Sequence, residues 1–152
     1  MKLRVFILSI CATLACQQGF GQDEWQEVQV HEITYRYIGD ETEAQSFRVV
    51  NKANHLKQDS KCQAAFQQPT PLADVFRQIF PPARARELSS ILFANMIIDP
   101  VGRVRQVTFD YAGGGKPITF EEYYRLEKAL KEYVYEVIGG CPGELCTGKL
   151  FS

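Results

Sequence analysis

Residues 26–38, Gln-Glu-Val-Gln-Val-His-Glu-Ile-Thr-Tyr-Arg-Tyr-Ile, alternate apolar and polar positions and are rich in β-branched and aromatic side chains. That period of two predicts a strand with one face toward a core. Gly39-Asp40-Glu41 punctuates it, and Ser46-Phe47-Arg48-Val49-Val50 predicts a second, shorter strand. The polar run over 51–63 predicts a loop. The period then changes. Thr70 is a natural N-cap and Pro71 suits the first helical position, where its missing N–H is not needed. Leu72, Val75, Phe76 and Ile79 follow at i, i+3, i+4 and i+7, predicting a short helix to Phe80 with one apolar face. Pro81-Pro82 stops it, and Ala83 to Ser89 predicts another short helical turn.

The clearest pattern comes next. Ile91 to Ile98 is nearly all apolar, predicting a strand buried on both faces. Asp99-Pro100-Val101-Gly102 is a turn, with Pro presetting φ and Gly102 accepting a positive one. Arg103 to Tyr111 is the returning strand, with Val107, Phe109 and Tyr111 on one face. Gly113-Gly114-Gly115-Lys116 invites a phosphate-loop reading, but it lacks the spacing of that motif and no helix starts directly after it, so it predicts a connecting loop. Thr119-Phe120-Glu121-Glu122 is a capping box opening a helix to about Lys131. Tyr123, Leu126 and Leu130 form its buried stripe, and Glu127 and Lys131 pair at i,i+4 on its outside. Tyr133-Val134-Tyr135-Glu136-Val137 predicts a further strand, stopped by Gly139-Gly140.

The fold class is therefore α+β, an antiparallel sheet packed against helices in two layers. The first 21 residues change the picture of where it works. Met1-Lys2-Leu3-Arg4, an apolar run from Val5 to Ala15 and then a small-residue stretch have the order of a secretory signal. The apolar run is far shorter than the roughly 20 residues of a membrane-spanning helix. Gly19-Phe20-Gly21 suits signal peptidase cleavage before Gln22, whereas Thr13-Leu14-Ala15-Cys16 approximates a lipobox that would lipidate Cys16. The organisation expected is a signal peptide over 1–21 and a single exported domain over 22–152, periplasmic or secreted, with a lipoprotein as the variant through Cys16. No transmembrane segment is expected after cleavage.

Charge narrows the partners. Losing Lys2 and Arg4 lowers the 17 basic residues to 15 against 18 acidic, with the signs interspersed. Nucleic acid and anionic lipid both call for a basic face, so neither is expected. Cys62, Cys141 and Cys146 remain in the exported part. Cys141 and Cys146 flank a short Pro-Gly loop and could form a disulfide, Cys62 could instead bridge to one of them, or no bridge forms. With His31 and His55 so distant from the cysteines, no zinc-like spacing exists and no metal or cofactor site is expected. Cys62 with His55 is the one nucleophile–base pairing available, and its spacing gives no reason for contact.

Phe80-Pro81-Pro82-Ala83-Arg84-Ala85-Arg86-Glu87-Leu88, followed by Ile97-Ile98-Asp99-Pro100-Val101-Gly102-Arg103-Val104, resembles the TonB C-terminal domain family, and Lys131-Glu132-Tyr133-Val134-Tyr135-Glu136 is similar to that family's helix-to-strand exit. The resemblance covers residues 80–137 and implies a β-β-α-β core. The family's membrane anchor and Pro-rich linker are not expected here. The resemblance further implies binding of a peptide or envelope protein by strand addition at a sheet edge. On that basis the expected function is an exported, non-enzymatic interaction domain. Tyr133, Tyr135 and Val137 are its candidate edge-strand contacts, and no catalytic residue is expected. A structural component or lipoprotein of an envelope assembly is the alternative, and a small thiol hydrolase built on Cys62 is the least supported.

Overall fold

The computed structural model describes residues 24–39, 47–57, 65–66, 72–88, 90–113, 115–138 and 146–151. The leader over 1–21 with Cys16, the Thr70-Pro71 helix start, Cys62 and Cys141 lie outside them.

β1 (Gln26–Val30) and β2 (Ile33–Ile38) are antiparallel, with Val30 opposite Ile33, Val28 opposite Tyr35 and Gln26 opposite Tyr37. The single strand expected over 26–38 is thus a hairpin, and the cause is local. His31 takes φ of +52°, the left-handed conformation required at the start of a tight two-residue loop. His tolerates that region better than most side chains. The apolar phase slips at the same point, from Val28 and Val30 to Ile33, Tyr35 and Tyr37. A strand running straight on would turn its second half to the wrong face.

β3 (Phe47–Asn51) pairs with β2, and a long hairpin of β5 (Ser90–Ile98) and β6 (Val104–Gly113) joins it through β6. β8 (Cys146–Phe151) runs along the far side of β5. The result is a six-stranded antiparallel sheet in the order β1-β2-β3-β6-β5-β8. β4 (Ala65–Phe66) and β7 (Val137–Ile138) form a separate two-stranded ladder. The helices are α1 (Leu72–Ile79), α2 (Pro82–Leu88) and α3 (Phe120–Glu132).

One face of the sheet carries the core. Tyr35, Phe47, Val49, Leu92, Ala94, Met96, Val107, Phe109 and Tyr111 meet Val75, Ile79, Tyr123, Leu126 and Leu130 from α1 and α3. Each fully buried large apolar side chain contributes about 1.5–3 kcal/mol to folding. The two-layer α+β architecture is the one the sequence pattern predicts.

Three local expectations are corrected. β5 is not buried on both faces: Leu92, Ala94 and Met96 are buried, while Phe93 and Asn95 between them are only half-buried. Residues 133–136 are not a sheet strand. Val134 makes one isolated bridge to Arg103, and the strand beside β5 is β8 instead. Glu127 does pair with Lys131, at 2.6 Å, but its carboxylate is 1 % exposed rather than on the outer face. Tyr35 Oη and Asn51 Nδ2 donate to that carboxylate at 2.8 and 3.0 Å. Burial and the neighbouring carboxylate push the Tyr35 phenol well above its ordinary pKa.

The α3 start is as expected: Glu122 N donates to Thr119 Oγ1 at 3.2 Å and Thr119 N donates to Glu122 Oε2 at 2.8 Å. Arg84 of α2 clamps the same carboxylate from Nε and Nη2 at 2.6 and 2.7 Å, tying α2 to α3.

Candidate binding surface

Beyond the core face that the helices cover, the sheet offers its two terminal strands, β1 and β8, and its opposite face; of these, β1 and that face have described side chains. β1 is one terminal strand of the sheet order. In a hairpin with a two-residue loop, the pair flanking the loop exchanges its backbone hydrogen bonds. Val30, Val28 and Gln26 therefore turn their backbone groups toward β2, and Glu27 and Gln29 turn theirs outward. Among the described residues no strand pairs with that outer rim. β1 contains no Pro, Lys or bulge of the kind that blunts an edge. Its hairpin tip is fixed to α3: His31 lies 4.6 Å from the Tyr124 ring and 3.0 Å from Glu121, and Tyr124 Oη donates to Glu32 at 3.0 Å. The edge is held in place by these contacts.

On the open face the register stacks side chains in rows. Ile38, Arg48, Asp110 and Phe93 lie opposite one another across β2, β3, β6 and β5. The next row is Glu27, Arg36, Val50, Thr108 and Asn95. Arg48 Nε donates to Asp110 Oδ1 at 2.5 Å, and Asn95 Nδ2 donates to Oδ2 at 2.7 Å. The Asp110 hydrogen bond raises the Arg48 guanidinium above its already high pKa, so its charge is permanent. Trp25 is 37 % exposed, and the Arg36 guanidinium sits 5.1 Å from its ring centroid. Trp25 is the shared wall of two shallow clefts. One, of about 450 Å³, is floored by Phe93, Asp110 and Arg48; the other, of about 190 Å³, lies against Arg36, Val50 and Lys52.

Farther along, the face is closed. Gln106 accepts hydrogen bonds from the amides of His55 and Leu56 at 2.7 and 2.6 Å and donates to Leu56 O at 3.1 Å. Residues 54–56 thus strap the sheet at Gln106, which lies opposite Ile97, and Ile97 is buried.

The residues singled out from sequence fall elsewhere. Tyr135 is 3 % exposed, donates to Leu130 O at 3.1 Å and has its phenol pushed up by burial. Tyr133, 6.2 Å from the Tyr135 ring, is half-buried and lines a cleft of about 460 Å³ with Asp74, Arg77 and Gln78. Val137 begins β7, and its partner is Phe66 of β4. Cys146 begins β8, while Cys141 lies outside the described residues. His55 is exposed with Nδ1 3.1 Å from Ala53 O. Trp25 and the outward groups of β1 went unmarked in the sequence. The phase slip at His31 was the signal that could have located that edge.

Among the described residues no group of three or more His, Cys, Asp or Glu is placed to hold a metal ion, and no helix is long and apolar enough to cross a membrane. These features define the chain as a two-layer α+β domain with an open antiparallel sheet. No family model matches it, and no curated protein matches it either. Its fold is similar to the crystal structure of a DUF5043 family protein from Bacteroides uniformis, with a TM-score of 0.61 over 86 % of this chain and 90 % of that one. The identity is 18 %, so the likeness is one of fold alone.

Proposed function

We propose that this protein is an exported, non-enzymatic binding domain that takes up an extended segment of an envelope peptide or protein along the outer rim of β1. The observation that carries the reading is the rim itself: two outward-facing residues, Glu27 and Gln29, in a strand with no Pro, Lys or bulge that is anchored to α3 through His31 and Tyr124. An extended chain laid there gains backbone hydrogen bonds without any rearrangement of the sheet. The strand-addition mode implied by the TonB C-terminal resemblance fits the same rim, transferred from residues 133–137 to β1. The signal-like leader at 1–21 supports export, and lipidation at Cys16 would hold the domain at a membrane without altering the rim.

Proline separates the rim from the ladder. At Glu27 it removes an outward N–H, together with the exposed carboxylate paired with Lys52, but no bond to β2, whereas at Val28 it removes a bond to β2. Peptides selected from a displayed random library against the wild-type domain should lose at least about tenfold in affinity on Glu27→Pro, the size of one charge-free backbone contact pair. That variant should keep its melting transition, and Val28→Pro should not. Undiminished peptide binding by a folded Glu27→Pro variant would overturn the reading.

A further inference from the structure

The open face has a charge pattern that strand addition at β1 does not use. Arg36 stands beside Trp25 with no carboxylate partner among the described residues. Among the described residues Arg48 is engaged by Asp110 through Nε, its side chain is 54 % exposed, and it lines the larger cleft. The two guanidiniums are diagonal neighbours: Arg36 lies opposite Val50, and Arg48 is two residues before Val50 on the same face of β3. Diagonal positions on adjacent antiparallel strands are about 7–8 Å apart. Side chains at i and i+2 of an extended chain emerge on one side roughly 6.6–6.8 Å apart, at ~3.3–3.4 Å per residue. Guanidinium forks match carboxylates in a planar, bidentate way that an ammonium or an apolar group cannot reproduce.

From this spacing we infer that the open face around Trp25 binds an acidic peptide segment in extended conformation, with carboxylates at alternating positions received by Arg36 and Arg48. Trp25 stands between the two clefts and covers the apolar part of the segment, while Phe93 floors the larger one. Asp110 is shared between the two neighbouring strands, Arg48 Nε on Oδ1 and Asn95 Nδ2 on Oδ2. A nucleic-acid partner would need a wider basic field than these two arginines and Lys52, which is itself paired with Glu27 at 2.8 Å.

Trp25 is the only tryptophan of the chain, so its fluorescence reports on this face and on the adjoining start of β1. A short capped peptide alternating Glu and Val, titrated into the whole exported domain at low salt, should change that fluorescence saturably. The Gln-for-Glu version of the peptide, and a version with its two Glu side by side, should each bind at least about tenfold more weakly. Arg36→Gln and Arg48→Gln should each weaken the Glu peptide by roughly tenfold while leaving the melting transition in place. No saturable change, equal binding of the Gln peptide, or full affinity in both folded arginine variants would each overturn the assignment. So would an equal response to inorganic phosphate or to phosphatidylglycerol vesicles. The Gln29→Pro variant, which removes an outward N–H of the rim but no charge beside Arg36, should bind this peptide normally, which keeps the outcome separate from that of the β1 rim.

Discussion

Single residues carry more of this fold than their burial suggests. Gly102 has φ of +89°, and a Cβ there would lie 1.9 Å from Tyr135 O. Its own carbonyl accepts from Tyr135 N at 2.8 Å, so the turn of the β5–β6 hairpin and residues 133–135 are pressed backbone to backbone. Gly102→Ala should cost at least about 1–3 kcal/mol from the strained φ alone, seen as a lower denaturant midpoint. Glu127 binds Tyr35, Asn51 and Lys131 at one buried point between α3 and the sheet. Glu127→Ala removes three hydrogen bonds and should cost about 3 kcal/mol at ~1 kcal/mol each in urea unfolding. Glu127→Gln should cost less, since it keeps one acceptor. Glu122 responds to pH. Burial alone would raise its carboxyl, but the Arg84 fork and the Thr119 cap outweigh burial and hold it below its ordinary value. A depressed carboxyl stabilises the fold above its unfolded pKa and loses that contribution as pH falls through the folded one. Thermal melts below about pH 4.5 should therefore drop more steeply in the wild type than in Glu122→Gln. Parallel acid limbs would contradict the assignment. The sequence announced Gly102 and the capping box through local turn and cap chemistry. It could not announce Glu127 as buried, because an i,i+4 Glu–Lys pair reads the same on an exposed face until Tyr35 and Asn51 arrive from strands 92 and 76 residues away.

At the scale of elements, period and punctuation located the helices and the central hairpin, because each of those is decided within about ten residues of chain. The departures occur where a distant segment decides. Residues 133–136 have strand-like composition, yet the turn at Gly102 captures their backbone and β8 takes the place beside β5. Ile91 to Ile98 looks doubly buried by composition, but on its second face Phe93 and Asn95 are half-buried and Ile97, opposite the strapped Gln106, is buried. The β1–β2 hairpin was legible in principle. Its apolar phase shifts by one residue at His31-Glu32, a stronger sign of a turn than the missing Gly or Asn is a sign against one.

For the whole molecule, the unequal faces of the sheet matter most. Helices cover one face with aromatic and aliphatic side chains, and the other offers Trp25, Arg36, Arg48 and Phe93 beside the rim of β1. The class of the fold was legible in sequence because alternating and 3.6-residue patterns alone require two layers. The candidate surface was not, since it is assembled by register across β1, β2, β3, β6 and β5, and register is a property of pairs of strands. The central claim concerns β1, and backbone amide exchange tests it most directly. In the free domain the amides of Glu27 and Gln29 should exchange freely while those of Val28 and Val30 are protected by β2. Addition of a selected peptide should protect Glu27 and Gln29 and leave the rest of the sheet unchanged. A bound peptide that leaves both amides exchanging as before would contradict strand addition at this rim.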